Sequence, residues 1–304
     1  MDSAILLFWQ ILKMAVFIFI GFLLCRARLL RAETGGDFSN LLLYIVTPAV
    51  ILSAYLEPYS SQKARLLGVS FLLSLLIHLF FILAAHCFFK RDPLAQNAVV
   101  ISNSGFMGIP LVGALLGSSA IFYLAAYMAV NTVVQWTYGA SRFDSKQKIS
   151  LRTTLITPII PTVAVALLLF FLQAPVPAFL QTLLKDIGAL NTPLAMIALG
   201  MFLSKITWGS LLEEGRYFIK PVLFRLVFLP VATIFLLSIL PQSMHLLAMT
   251  LWIVAASPTA ISVALFAEKY HNDSGKATVL ICISTLLSLI TIPLLAILAQ
   301  SLFY

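Results

Sequence analysis

The sequence predicts an all-α polytopic membrane protein with ten transmembrane helices in two inverted five-helix repeats. Three observations lead there. Of 304 residues, 61% are hydrophobic and 10% charged, against about 25% charged in ordinary soluble domains. Mean hydropathy is +1.04. Ten apolar stretches approach the roughly 20 residues needed to cross a bilayer, joined by short polar connections with no room for a soluble domain. The net charge of +8 would suggest nucleic acid in a soluble protein. Here it follows from Lys and Arg in cytoplasmic loops, so lipid is the expected surroundings and no nucleic-acid partner is expected. Cys25, Cys87 and Cys282 have no paired spacing and form no CxxC, which argues against a disulfide framework or a zinc site. No metal or cofactor is expected.

The first apolar stretch runs over roughly 4–24. It begins with Asp2, and its basic cluster (Arg26, Arg28, Arg31) follows the apolar run instead of preceding it. It therefore reads as a retained helix and not a signal peptide. The second, roughly 37–56, contains Thr47-Pro48, and the third, roughly 66–89, carries His78. The fourth, roughly 95–116, contains Asn103-Ser104-Gly105-Phe106-Met107-Gly108-Ile109-Pro110. Glycine costs about 1 kcal/mol and proline about 3 in a helix interior, so this stretch reads as two half-helices meeting at an unwound break. The fifth, roughly 120–140, holds Asn131, Thr132 and Gln135, and a basic cytoplasmic loop over 141–153 follows. The sixth and seventh run over roughly 154–172 and 180–203, the latter with Asn191 and Thr192-Pro193. The eighth, roughly 217–240, carries Arg225. The ninth, roughly 244–267, has a second break at Ala256-Ser257-Pro258-Thr259-Ala260, and the tenth runs over roughly 277–300.

Lys and Arg set the orientation. Loops after odd-numbered stretches hold Arg26, Arg28, Arg31, Lys90, Arg91, Arg142, Lys146, Lys148, Arg152, Lys205, Arg216, Lys220, Lys269 and Lys276; the other side holds Lys63, Arg65 and Lys185. The basic loops belong in the cytoplasm, which places both termini extracytoplasmic. Five helices per half is odd, so the halves 1–140 and 154–304 have opposite topology. Matching features recur at offsets of 145 to 148 residues: Thr47-Pro48 with Thr192-Pro193, His78 with Arg225, and Pro110 with Pro258.

Freed backbone groups at membrane depth are tolerated where they are buried in protein or line a water-filled cavity. Paired breaks therefore mark a substrate site, whose half-helix N-termini suit a carboxylate. Asn103, Ser104, Gly105, Ser257 and Thr259 supply neutral polar or backbone groups, with Asn131 from the following helix; Gly108, Pro110 and Pro258 shape the crossover. The competing reading is a pair of structural kinks. Ionisable residues inside spans default to functional hypotheses: Lys13, His78 and Arg225. Arg225 is a candidate counter-charge for the substrate or a side chain snorkelling to the surface. His78 is a neutral satisfied histidine or a proton-coupling group. Gln135 reads as a helix–helix contact. All eleven acidic residues fall in loops or at helix ends, which favours an anionic solute. Walker A, HExxH and GxSxG sequences are missing, so an enzyme is not expected. A sodium- or proton-coupled symporter, and a non-transporting receptor using the same pocket, stay open.

The run Asn103 to Leu111 resembles the fourth-helix motif of the auxin efflux carrier family, which includes plant PIN carriers and bacterial malonate and malate permease-like proteins. Ser257-Pro258-Thr259-Ala260, Phe266 to Tyr270, Ser284 to Pro293, and Pro193 to Leu203 with Gly200 carry the same resemblance across essentially the whole chain. The resemblance implies a bile-acid sodium symporter-like fold. Helices 1, 2, 6 and 7 would form a scaffold and homodimer interface, and helices 3–5 and 8–10 a transport domain. It implies elevator-type transport of a small organic anion such as malate, malonate or an auxin-like acid, with Asn103 contacting substrate and Pro110 and Pro258 as crossover prolines. The short 141–153 loop and the lack of an acidic residue at the second break depart from the family pattern. The first removes the regulatory loop of plant carriers, and the second puts a sodium site in doubt.

Overall fold

The computed structural model describes residues 2–143, 151–205 and 208–303, so most of the expected basic loop lies outside the described residues. The described chain is helical throughout, its one β feature being an isolated bridge between Ser102 and Thr259. In chain order the α-helices are α1 (Asp2–Arg26), α2 (Thr34–Leu41), α3 (Thr47–Tyr55), α4 (Ser61–Phe88), α5 (Pro93–Val100), α6 (Ile109–Leu116), α7 (Ser118–Val134), α8 (Ala140–Phe143), α9 (Leu151–Ile156), α10 (Ile159–Leu172), α11 (Ala178–Ala189), α12 (Asn191–Leu203), α13 (Trp208–Leu223), α14 (Leu229–Leu237), α15 (His245–Ala256), α16 (Ser262–Lys269) and α17 (Ser274–Phe303).

Among the described residues, six stretches are long and apolar enough to cross a membrane: Trp9–Arg26, Thr34–Tyr55, Ser61–Phe88, Ala178–Leu203, Gly215–Leu237 and Ser274–Phe303. They coincide with the first, second, third, seventh, eighth and tenth apolar stretches of the sequence. Of the other four, the fifth is a continuous helical run over 118–143 that is less apolar, and the fourth, sixth and ninth are shorter or interrupted helices.

Local signals set several boundaries. Ser60 accepts a bond from the Lys63 amide at 3.1 Å and caps α4. Asp92 accepts from the Ala95 amide at 2.9 Å and caps α5, with Pro93 in the first turn where its missing N–H is harmless. Pro48, Pro110 and Pro230 each stand at the start of a helix that directly follows a π-helical turn, at Leu42–Val46, Ser104–Gly108 and Phe224–Phe228. The wider turn relieves the clash of the proline ring with the preceding carbonyls, so the helix continues through it.

The fourth stretch therefore breaks earlier than expected. The unwound residues are Ile101 to Asn103, while Gly105, Gly108 and Pro110 lie within the second half-helix, Ser104–Leu116. Gly108 is needed for packing: a Cβ there would lie 2.9 Å from the Val254 side chain of α15. The ninth stretch breaks where expected, between α15 and α16 over residues 257–261.

The molecule is apolar outside and polar at its centre. α4 exposes Leu72, Leu75, Leu76, Leu79 and Leu83 and buries Ser70, Ser74 and His78 at four-residue spacing. α17 exposes Leu286, Ile290, Leu294 and Ile297 and buries Ser284, Thr285 and Ser288. That pattern suits a hydrocarbon solvent.

Without a hydrophobic force between helices in lipid, close approach at small residues drives packing. α1 and α12 cross with their backbones nearly touching. A Cβ on Gly21 would fall 2.1 Å from the Ile197 carbonyl oxygen, and one on Gly200 would fall 1.9 Å from that of Ile18. Gly200→Ala is expected to destabilise the protein by about 1–3 kcal/mol through overpacking. Gly36, with nothing within 4 Å of its added Cβ, should accept alanine at no loss. Thermal unfolding in detergent tests the pair, and equal midpoints for the two variants would rule out the proposed contact.

Candidate functional site

The unwound segments of the fourth and ninth stretches cross and pair as a minimal antiparallel bridge. The Asn103 amide donates to Pro258 O at 2.8 Å, and the Ala260 amide donates to Ile101 O at 3.1 Å. Side chains satisfy the remaining backbone. Thr259 Oγ1 donates to Ala98 O at 2.9 Å, and Ser284 Oγ accepts from the Thr259 amide at 3.3 Å. Asn131 grips Ser102 at both ends: its Oδ1 accepts from the Ser102 amide at 3.3 Å, and its Nδ2 donates to Ser102 O at 3.1 Å.

The C-terminal ends of α5 and α15 converge on Arg225, which has no exposed surface. Its Nη1 donates to Val99 O at 2.9 Å and its Nη2 to Ala255 O at 3.0 Å. Nε and Nη2 both reach Ser257 O, at 2.9 and 2.6 Å. The guanidinium also lies over the Phe81 ring at 5.4 Å. A helix C-terminus carries orphan carbonyls and partial negative charge, and one arginine meets both here. It does not snorkel.

The half-helices that begin beyond the crossing, Ser104–Leu116 and α16, start at a cavity of about 220 Å³. Asn103, Ser104, Gly105, Asn131, Ser262 and Lys269 line it, with Thr132, Gln135 and Trp136 of the fifth stretch and Ser39 and Asn40 of α2. None of its lining residues is acidic. Asn103 spends its Oδ1 on the Phe106 amide at 3.3 Å, capping the half-helix. Its buried Nδ2, and the buried Nε1 of Trp136, have no hydrogen-bond partner among the described residues. The Lys269 ammonium lies over the Trp136 ring at 5.0 Å. The residues that carry these two unspent donors, and one lysine, therefore border a space with no acidic lining residue, which suits an acceptor-rich ligand.

A second cavity, of about 560 Å³, reaches the far end of the same half-helix at Ile109, Pro110 and Gly113; Lys185 and Asn191 also line it. Both polar atoms of the Asn191 side chain are buried without partners among the described residues.

The structure thus brings Asn103, Ser104, Gly105 and Asn131 to one cavity. It does not bring Ser257, Thr259 or Arg225 there, because backbone carbonyls already engage their polar groups: Ile253 O accepts from Ser257 Oγ at 3.0 Å, and the others bind as above. Pro258 lies in the pairing segment and Gly108 and Pro110 one to two turns into the half-helix. His78 is buried beside Asn131, with Nε2 3.1 Å from Asn131 Oδ1. Lys13 is exposed on α1. Lys269 and Trp136 also line the cavity at Asn103 and carry no binding signal in the sequence. Lys269 reads in sequence as a topology charge within the Phe266–Tyr270 motif, with no ligand role, and Trp136 stands five residues from Asn131 with no polar pattern to mark it.

An apolar exterior, a buried polar centre and two interrupted helices crossing beside a cavity define an integral membrane protein built for solute transport. The chain belongs to the family described as membrane transport protein, whose model matches residues 6–153 and 142–296; this is the auxin efflux carrier resemblance carried by the motifs. It is similar to an uncharacterized transporter of Methanocaldococcus jannaschii, 25% identical over 93% of this chain and 96% of the relative. It is also similar to a Rhizobium meliloti protein named "Putative malonate transporter", 24% identical over 93% of each chain.

Arg225→Met should leave three carbonyl groups buried without donors, at about 1–3 kcal/mol for each. The expected result is loss of folded, monodisperse protein in detergent, with partial recovery in Arg225→Lys. An unchanged melting temperature in Arg225→Met would contradict the capping role.

Proposed function

We propose that this transporter carries a small organic anion, a carboxylate of the malonate or malate class, by elevator-type alternating access. The observation that carries the reading is the cavity at the crossover. Its unspent donors, Asn103 Nδ2 and Trp136 Nε1, and its cation Lys269 face no acidic residue. The partial positive charge of the half-helix starting at Ser104 adds to them. The volume of about 220 Å³ lies below the roughly 300–1,000 Å³ of pockets for drug-sized ligands, which supports a short substrate. The name of the Rhizobium meliloti relative supports a dicarboxylate.

In this reading the chain forms ten spans in two inverted repeats, 1–140 and 154–304, joined by the basic loop 141–153. The third to fifth and eighth to tenth spans move as one body against a scaffold of the first, second, sixth and seventh, which also forms a homodimer. Both termini are extracytoplasmic. The cavity at Asn103 then opens to the cytoplasm, because Lys269 stands at its rim among the basic-loop residues, and the cavity at Pro110 and Asn191 belongs to the opposite side. The half-helix Ser104–Leu116 borders both cavities.

Uptake of radiolabelled malonate into proteoliposomes tests the site. Lys269→Gln should raise the half-saturating concentration about tenfold, equivalent to about 1.4 kcal/mol. Asn103→Ala should lower uptake while leaving the protein folded. Wild-type kinetics in both variants would refute this cavity as the substrate site.

A further inference from the structure

His78 is 1% exposed on α4, and both of its ring nitrogens face oxygen atoms. Nδ1 is 2.8 Å from Ser74 O and Nε2 is 3.1 Å from Asn131 Oδ1. A backbone carbonyl can only accept. The orientation of Asn131 is set by Ser102, whose amide needs an oxygen and whose carbonyl needs an N–H, so Oδ1 is the atom turned to the histidine. A neutral imidazole carries one N–H, and only the imidazolium donates at both nitrogens. Both nitrogens therefore meet acceptors, and only the protonated ring donates to both.

No carboxylate among the described residues balances that charge. The groups facing the ring are the Tyr127 phenol of α7, with ring centroids 4.6 Å apart, and the cationic Arg225, which lies over Phe81. α5 contains no titratable residue, and α15 contains only His245, half-buried at its far end. The neutral ring leaves one acceptor unmet, and the charged ring lacks a counter-ion. Asn131 stands between this ring and the cavity, which it lines, and its Nδ2 also lies 3.5 Å from Ser104 Oγ at the half-helix start. An anion in the cavity would supply the missing negative charge one side chain away.

We propose that His78 is the coupling-proton site of this transporter and that one proton is carried with each organic anion. The proposal rests on the anion-carrier reading above. On one side of the membrane the ring takes a proton from water as the anion enters, and then donates from Nδ1 to Ser74 O and from Nε2 to Asn131 Oδ1. On the other side it returns the proton to water as the anion leaves. Anion and proton favour each other's binding by the same factor, as linkage requires. Asn131 is the positioning residue, since it ties the ring to the Ser102–Ser104 backbone that borders the substrate.

The test uses proteoliposomes with membrane voltage held at zero. In wild type, an inward proton gradient of one unit should concentrate radiolabelled malonate up to about tenfold, since each tenfold ratio is about 1.4 kcal/mol. Malonate added outside at equal pH should acidify the lumen, read by an entrapped pH dye. His78→Gln keeps a side chain that donates to Asn131 but cannot carry a proton. It should run measurable malonate counterflow, at a reduced rate, with no accumulation driven by pH. Wild-type counterflow with neither pH-driven accumulation nor lumen acidification overturns the proposal even if His78→Gln fails to fold, and so does His78→Gln accumulating malonate as wild type does. Absence of counterflow in wild type overturns the carrier reading itself, and this proposal with it.

Discussion

The guanidinium of Arg225 is the constraint on which the centre of this molecule depends. Two helices stop in the interior, and each stop exposes carbonyls that lipid cannot satisfy. Bringing both C-terminal ends to one buried cation allows the chain to unwind there at all. Val99, Ala255 and Ser257 carbonyls converge on it, and each is held from a different point along the sequence. The short antiparallel pairing of Ile101–Asn103 with Pro258–Ala260 then satisfies the Asn103 and Ala260 amides, and the Asn131 and Ser284 side chains satisfy those of Ser102 and Thr259. The crossing is thus a hydrogen-bonding unit in which the positive side chain donates to three backbone carbonyls.

That commitment shapes what remains available to a solute. The negative ends of the half-helices are capped within the protein, while the first turn beginning at Ser104 opens on a cavity. Asn103 divides its amide between the two tasks: the oxygen caps the helix and the nitrogen is left over. No arginine is among the residues that line this cavity. The same half-helix reaches a second cavity at Pro110, so both cavities are bordered by one element, itself packed at Gly108 against α15.

Particular residues explain how much of this could be read from the sequence. The second break was legible at Ala256-Ser257-Pro258, because a proline beside a helix end gives a local signal. The first was displaced. Gly105, Gly108 and Pro110 look like breakers by propensity, yet a π-helical turn accommodates the proline, and Gly108 serves close packing against Val254. Asn103 and Asn131 were legible as polar groups in apolar helices. Lys269 was not, because a lysine at a helix end looks the same whether it faces solvent or a binding cavity. Arg225 was legible as important and misread in its partners.

The sequence by itself determined the apolar exterior, the crossing of a membrane, the placement of charge in loops and the presence of two interrupted helices. These follow from composition and local backbone preference, which act over a few residues. Tertiary structure alone decided which polar groups are spent on backbone and which face the cavity. Val99, Arg225 and Ser257 lie far apart in the chain, and so do Asn103, Trp136 and Lys269. A hydrogen bond forms or fails over a few tenths of an ångström, and only the packed helices set distances at that scale.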